Sequence, residues 1–129
     1  MDTRRFISTL VVAVISSVAS PVSADSQVEI AFEKLKTQGG VGDIYLMVVK
    51  GAGAILNYAN AQLVGRGRTP LYCQPAELAL NAYNFRDIAL AQFERRRAYY
   101  KDDKLFNEMP EEAIVHSLLY GLEETFPCK

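Results

Sequence analysis

Two cysteines, Cys73 and Cys128, constrain this chain more than any other feature. One lies mid-chain and the other is the last residue but one, so a bond between them would tie the C-terminus back to the middle of the fold. Such a bond persists only in an oxidising compartment. The N-terminus points to one. Arg4 and Arg5 form a short positive region, and Phe6 to Ala19 is apolar except for Ser8, Thr9, Ser16 and Ser17. Pro21 breaks any helix, and Val22-Ser23-Ala24 offers small residues at the two positions a signal peptidase reads. This anatomy predicts a secretory signal over residues 1–24, cleaved after Ala24, followed by one domain over residues 25–129. The apolar run is short for a bilayer span, so no stable membrane insertion is expected after cleavage. An arginine pair alone is a weak twin-arginine signal, and no cysteine follows the cleavage site to take a lipid. With export, an even count and no third cysteine to compete, an intramolecular Cys73–Cys128 disulfide is predicted. The chain-entropy model gives it about 4 kcal/mol. Two cysteines and the lone His116 fall short of a four-ligand zinc set, so no metal or other cofactor is expected.

A chain of 129 residues is one domain by length. Half of it is hydrophobic and 22% is charged, a balance that suits a packed core and argues against disorder. The net charge of -1 argues against nucleic acid as a partner, which would call for a basic surface.

The apolar spacing predicts an all-α fold, a small bundle of four to five helices. Val28, Ile30, Ala31, Phe32 and Leu35 give a short amphipathic helix over 27–36, stopped by Gly39-Gly40. Asp43 is the expected N-cap of the next helix, in which Tyr45, Val48, Val49, Ala52, Ile55, Leu56, Ala59 and Leu63 recur at threes and fours. Gly51 and Gly53 inside it cost about 1 kcal/mol each relative to Ala, but let another helix approach. Residues 65–70, Gly-Arg-Gly-Arg-Thr-Pro, read as a flexible basic loop. Pro75 is expected to open a turn or short helix through Leu80. Asn81 or Asn84 would cap a third long helix running to about Tyr99, with Phe85, Ile88, Ala89, Gln92, Phe93 and Arg96 inward. The run Arg95-Arg96-Arg97 suits that helix's negative end. Residues 100–108 read as a polar connection. Pro110 suits the first turn of a last helix with Glu108, Glu111 and Glu112 at its positive end, and Pro127 ends it.

No catalytic set emerges, and the chain is expected not to be an enzyme. His116 lies beside Ser117, but neighbouring helix residues point about 100° apart and do not face each other. His116 is also off the Ile114–Leu118–Leu122 stripe, which suggests a rim position. The acidic pairs at 102–103, 111–112 and 123–124 lie in polar stretches or near helix ends, where solvation or capping accounts for them.

From Tyr45 to Cys128 the order of features resembles a known family. The features are a helix with small residues over Tyr45 to Leu56, then Cys73-Gln74-Pro75, a helix over 85–100 ending in a charged turn, and a last helix closing in Phe126-Pro127-Cys128; Gly53 and Ala54 depart from the polar residue the family carries after the mid-helix glycine. Together with export, they resemble the Tai/Rap-type immunity proteins, periplasmic inhibitors of type VI secretion amidase effectors. The resemblance implies a periplasmic, disulfide-closed helical protein whose partner is a cognate peptidoglycan amidase, inhibited by occlusion of its cleft. Self-association as a homodimer is also allowed for. No contact residues transfer by motif. Physical chemistry nominates the exposed, basic loop with Arg66, Arg68 and Tyr72, and then Tyr99, Tyr100 and Phe106 in their polar surroundings, because interfaces favour Tyr and Arg. The competing reading is an HdeA-like acid-stress chaperone, another small exported helical protein with two cysteines.

Overall fold

The computed structural model describes residues 25–129, and the signal segment expected over residues 1–24 lies outside them. The described chain is all-α. In order, the helices are α1 (Gln27–Lys36), α2 (Val41–Gly65), α3 (Ala82–Arg95), α4 (Arg97–Asp102), α5 (Lys104–Glu108) and α6 (Pro110–Thr125). Four are long and two are short, and the short pair occupies the stretch expected as a polar connection. The Asp103 carboxylate starts α5 by accepting from the Phe106 amide at 3.2 Å.

Local chemistry sets the other boundaries. Ser26 caps α1 by accepting from the Glu29 amide, and Lys34 and Lys36 lie in its last turn. Asn81 and Asn84 close a reciprocal capping box at the start of α3, so the two candidate caps act together. Pro110 opens α6 with Glu111 and Glu112 in the first turn. Asp43 is not the cap of α2. The helix begins two residues earlier, after Gly40, and the Asp43 carboxylate instead accepts from the Gly39 amide. The segment after Pro75 turns but forms no helix.

The core lies between α1, α3 and α6. Phe32 and Phe93 stack at 3.9 Å between centroids, and Tyr100 packs on both. Leu35, Ala89, Ile114, Leu118 and Leu122 fill the space around them. The most extensive helix pairing, α3 with α6, needs Gly121, because a Cβ there would press on Ile88. The approach of α2 to α3 needs Gly53, whose absent side chain is replaced by the ring of Phe85. The three consecutive arginines are structural. Arg95 and Arg96 reach Glu124 on α6, while Arg97 holds Glu94 at 2.8 Å and Glu29 on α1 at 3.1 Å. Lys36 joins this network through Glu33 and Glu94. The Arg97 guanidinium beside Glu94 holds that carboxyl below its ordinary range.

Cys73 and Cys128 are bonded, with Cα atoms 4.9 Å apart. Beside the bond, the Cys73 amide donates to the Phe126 carbonyl at 2.7 Å. The mid-chain loop is thereby fixed to the end of α6.

Candidate functional site

The basic loop after α2 is held rather than free. Gly67 stands at φ +65°, the left-handed conformation glycine adopts without penalty. Its amide donates to Val64 O at 2.9 Å, and the Arg68 amide donates to Leu63 O at 2.8 Å. These two bonds form a Schellman motif, which satisfies the last carbonyls of α2 and reverses the chain. Asn60 then grips the returning segment through both ends of its amide. Its Oδ1 accepts from the Leu71 amide at 2.7 Å and its Nδ2 donates to Tyr72 O at 2.8 Å. The Tyr72 hydroxyl donates to Asn57, one turn earlier on α2. Arg66 and Arg68 are exposed at the tip and make no ion pair among the described residues. Alongside runs a groove of about 370 Å³ bordered by Asn57, Val64, Pro70 and Gln74. Gln74 donates through Nε2 to Leu78 O, while its buried Oε1 has no partner.

Three of the six nominated contact residues are not on the surface. Tyr72 is 2% exposed, and burial pushes its phenol pKa up. Tyr100 is 1% exposed and Phe106 7%, because α4 and α5 turn both rings into the core beside Phe32, Phe93 and Ile114. Their expected role as exposed anchors is corrected accordingly: Tyr72 braces the loop from within, and the other two are core residues. Tyr99, at 53%, does face outward, but far along the chain from the loop.

Tyr99 belongs to a second cluster. His116 on α6 is ringed by Tyr99, Tyr100, Phe106 and Tyr120, all with centroids within 6.0 Å. Its Nδ1 shares a 3.2 Å hydrogen bond with the Tyr100 hydroxyl. Burial lowers the His116 pKa, against opposing pulls from Asp103 and Glu123. Burial also pushes Tyr100 up to about 12. Ser117 is buried and donates to Ile114 O, so its hydroxyl is turned away from the imidazole. Among the described residues no group of three or more His, Cys, Asp or Glu side chains could hold a metal ion.

The sequence reading missed the outer face of α2. Ile55, expected inward, is 70% exposed, and Met47 is 72% exposed. Ile44, Tyr58 and Val64 are likewise outside. The missed signal is that α2 carries apolar residues on more than one face, with Asp43 and Lys50 its only charges. Only the side toward α1, α3 and α6 is covered. Even so, among the described residues no single helix is long and apolar enough to cross a membrane.

No family model, curated protein or solved structure matches the chain.

Proposed function

We propose that this chain is an exported immunity protein that binds a peptidoglycan amidase toxin of a type VI secretion system and occludes its cleft. The observation that carries the reading is the hooked loop from Arg66 to Leu71. It is basic at its tip, capped by Gly67, clamped by Asn60 and Tyr72, and tied at its base by Cys73–Cys128. An inhibitor that fills a cleft gains affinity from such preorganisation, because little conformational entropy is lost on binding. Among the described residues Arg66 and Arg68 have no ion-pair partner, which suits them to meet carboxylates at the rim of a cleft. The family resemblance over residues 45–128 suggests the class of target, and the expected cleavage after Ala24 suggests the compartment, the periplasm.

The test is cleavage of a peptidoglycan peptide by the cognate amidase, titrated with this protein near neutral pH. Stoichiometric inhibition is expected, weakened by roughly 1–2 kcal/mol in binding for Arg66→Ala or Arg68→Ala where either is a hot spot. No inhibition at several-fold excess would defeat the reading. The exposed apolar face of α2 favours a second one, an acid-stress chaperone of the HdeA kind, since client binding needs apolar surface. That protein would leave the amidase untouched and suppress client aggregation only at strongly acidic pH.

A further inference from the structure

We infer that the hollow between α2 and the start of α3 binds a small amphipathic carboxylate, an aliphatic acid whose chain lies in the hollow and whose head group meets Lys50. The hollow holds about 480 Å³, within the range of small-molecule sites. Its shape has a local origin. Gly53 lets the Phe85 ring rest against the backbone of α2, where a Cβ would collide with three atoms of that ring. Ala54 on α2 and Ala82 on α3 line the same hollow with nothing larger than a methyl group, and Leu80 and Tyr83 complete its apolar wall. The Tyr83 ring is steadied by the Arg86 guanidinium, 5.2 Å from its centroid, and Arg86 is itself paired with Asp87 at 2.9 Å. Nothing in this site depends on an amidase partner.

The polar groups of the hollow are donors. Apart from the Tyr83 hydroxyl, its polar side chains are Lys50, Asn57 and Asn81. Asn81 Oδ1 is filled by the amides of Tyr83 and Asn84, and Asn57 Oδ1 is engaged by the Tyr72 hydroxyl. The two carboxamides are left to act through their NH2 groups. Lys50 is in no ion pair among the described residues, and no carboxylate lines the hollow. One ammonium and two amide donors call for a ligand that accepts hydrogen bonds and carries one negative charge. A carboxylate does both, with two oxygens that accept in several directions. A phosphate group carries close to two charges at neutral pH, more than one lysine neutralises. A cationic ligand would be repelled by Lys50. The apolar wall requires the rest of the ligand to be hydrocarbon, and each CH2 that enters such a wall is worth about fourfold in affinity.

The test is titration of the purified, disulfide-intact protein with sodium octanoate near neutral pH, followed by amide chemical shifts. Saturable shifts centred on Lys50, Ala54, Asn57 and Ala82 are expected, with binding tightening about fourfold per CH2 from butanoate to octanoate. Octanol should bind roughly tenfold more weakly than octanoate, because it lacks the charge. Lys50→Gln, at an exposed position, should stay folded by circular dichroism, lose about tenfold in octanoate affinity and leave octanol unaffected. Ala54→Leu, also at an exposed helix position, should fill the hollow and abolish binding of both. Absence of a saturable shift overturns the inference, as does octanoate binding that Lys50→Gln leaves unchanged. Octanol binding as tightly as octanoate would reject the carboxylate. Shifts spread over the surface and indifferent to Ala54→Leu would show non-specific association and reject the hollow.

Discussion

Tyr72 supports the Arg66–Leu71 loop from beneath, with its ring buried and its hydroxyl on Asn57. Tyr72→Ala would leave a cavity under the loop, and truncations of large buried aromatics cost about 3–5 kcal/mol. Arg66→Ala and Arg68→Ala remove exposed, unpaired groups and should stay within about 0.5 kcal/mol of wild type. Urea denaturation of the three variants separates bracing from contact. A second residue-scale expectation concerns His116. Burial lowers its pKa below 6.5 in the folded protein. The unfolded chain therefore takes up this proton first as pH falls, and binds more protons than the native state in that window. Stability from the neutral ring is complete above about pH 6.5, declines below it, and stops declining once the folded ring also protonates. His116→Gln should flatten the fall in unfolding free energy between about pH 7 and pH 5, as read from denaturation at the two values. An unchanged fall would mean that carboxylates alone carry it.

At the scale of elements, α2 packs one face and leaves the other open, and its glycines report which is which. Gly53→Ala would drive a methyl into Phe85, an overpacking that costs about 1–3 kcal/mol. Gly51→Ala meets nothing within the chain and should stabilise the protein by about 0.5–1 kcal/mol through helix propensity. Two substitutions of the same kind, two residues apart, are thus expected to shift the thermal midpoint in opposite directions. At the start of α3, both asparagines of the capping box work, so Asn81→Ala should cost about 1 kcal/mol, read by the same melt.

At the scale of the molecule, the disulfide and the arginine network close the bundle at different places. Arg95 and Arg96 tie the end of α3 to α6, and Arg97 at the start of α4 reaches α1, through partly exposed pairs each worth little alone. The Cys73–Cys128 bond spans 55 residues of sequence and fixes the loop to the end of α6. Cys128→Ser should cost roughly 2–5 kcal/mol in denaturation. The cost should fall on the whole fold and also loosen the Arg66–Leu71 loop, visible as faster amide exchange at Leu71 and Cys73. Loss of stability with an unchanged exchange rate would show that Asn60 and Tyr72 hold the loop without the bond.

Much of the fold is local and was legible in the chain. The bounds of α1 follow from its apolar period and last-turn lysines, α6 opens at Pro110, and the two cysteines pair as their even count suggested. The site was legible only in part. That Arg66 and Arg68 are exposed follows from a Gly-rich turn, but the rigidity of that turn depends on Asn57 and Asn60, which lie on α2 and look like ordinary surface residues in sequence. Whether Tyr72, Tyr99, Tyr100 and Phe106 lie inside or outside was decided by the tertiary structure. α4 and α5 are too short for periodicity to separate their faces, so only packing against α1 and α6 selects Tyr100 and Phe106 for the core. The same holds for α2. Apolar residues stand on more than one of its faces, and hydrophobicity alone cannot say which of them its neighbours will cover. The small residues Ala52 and Gly53 let α3 in on one side, and that approach leaves Met47 and Ile55 to the solvent on the other.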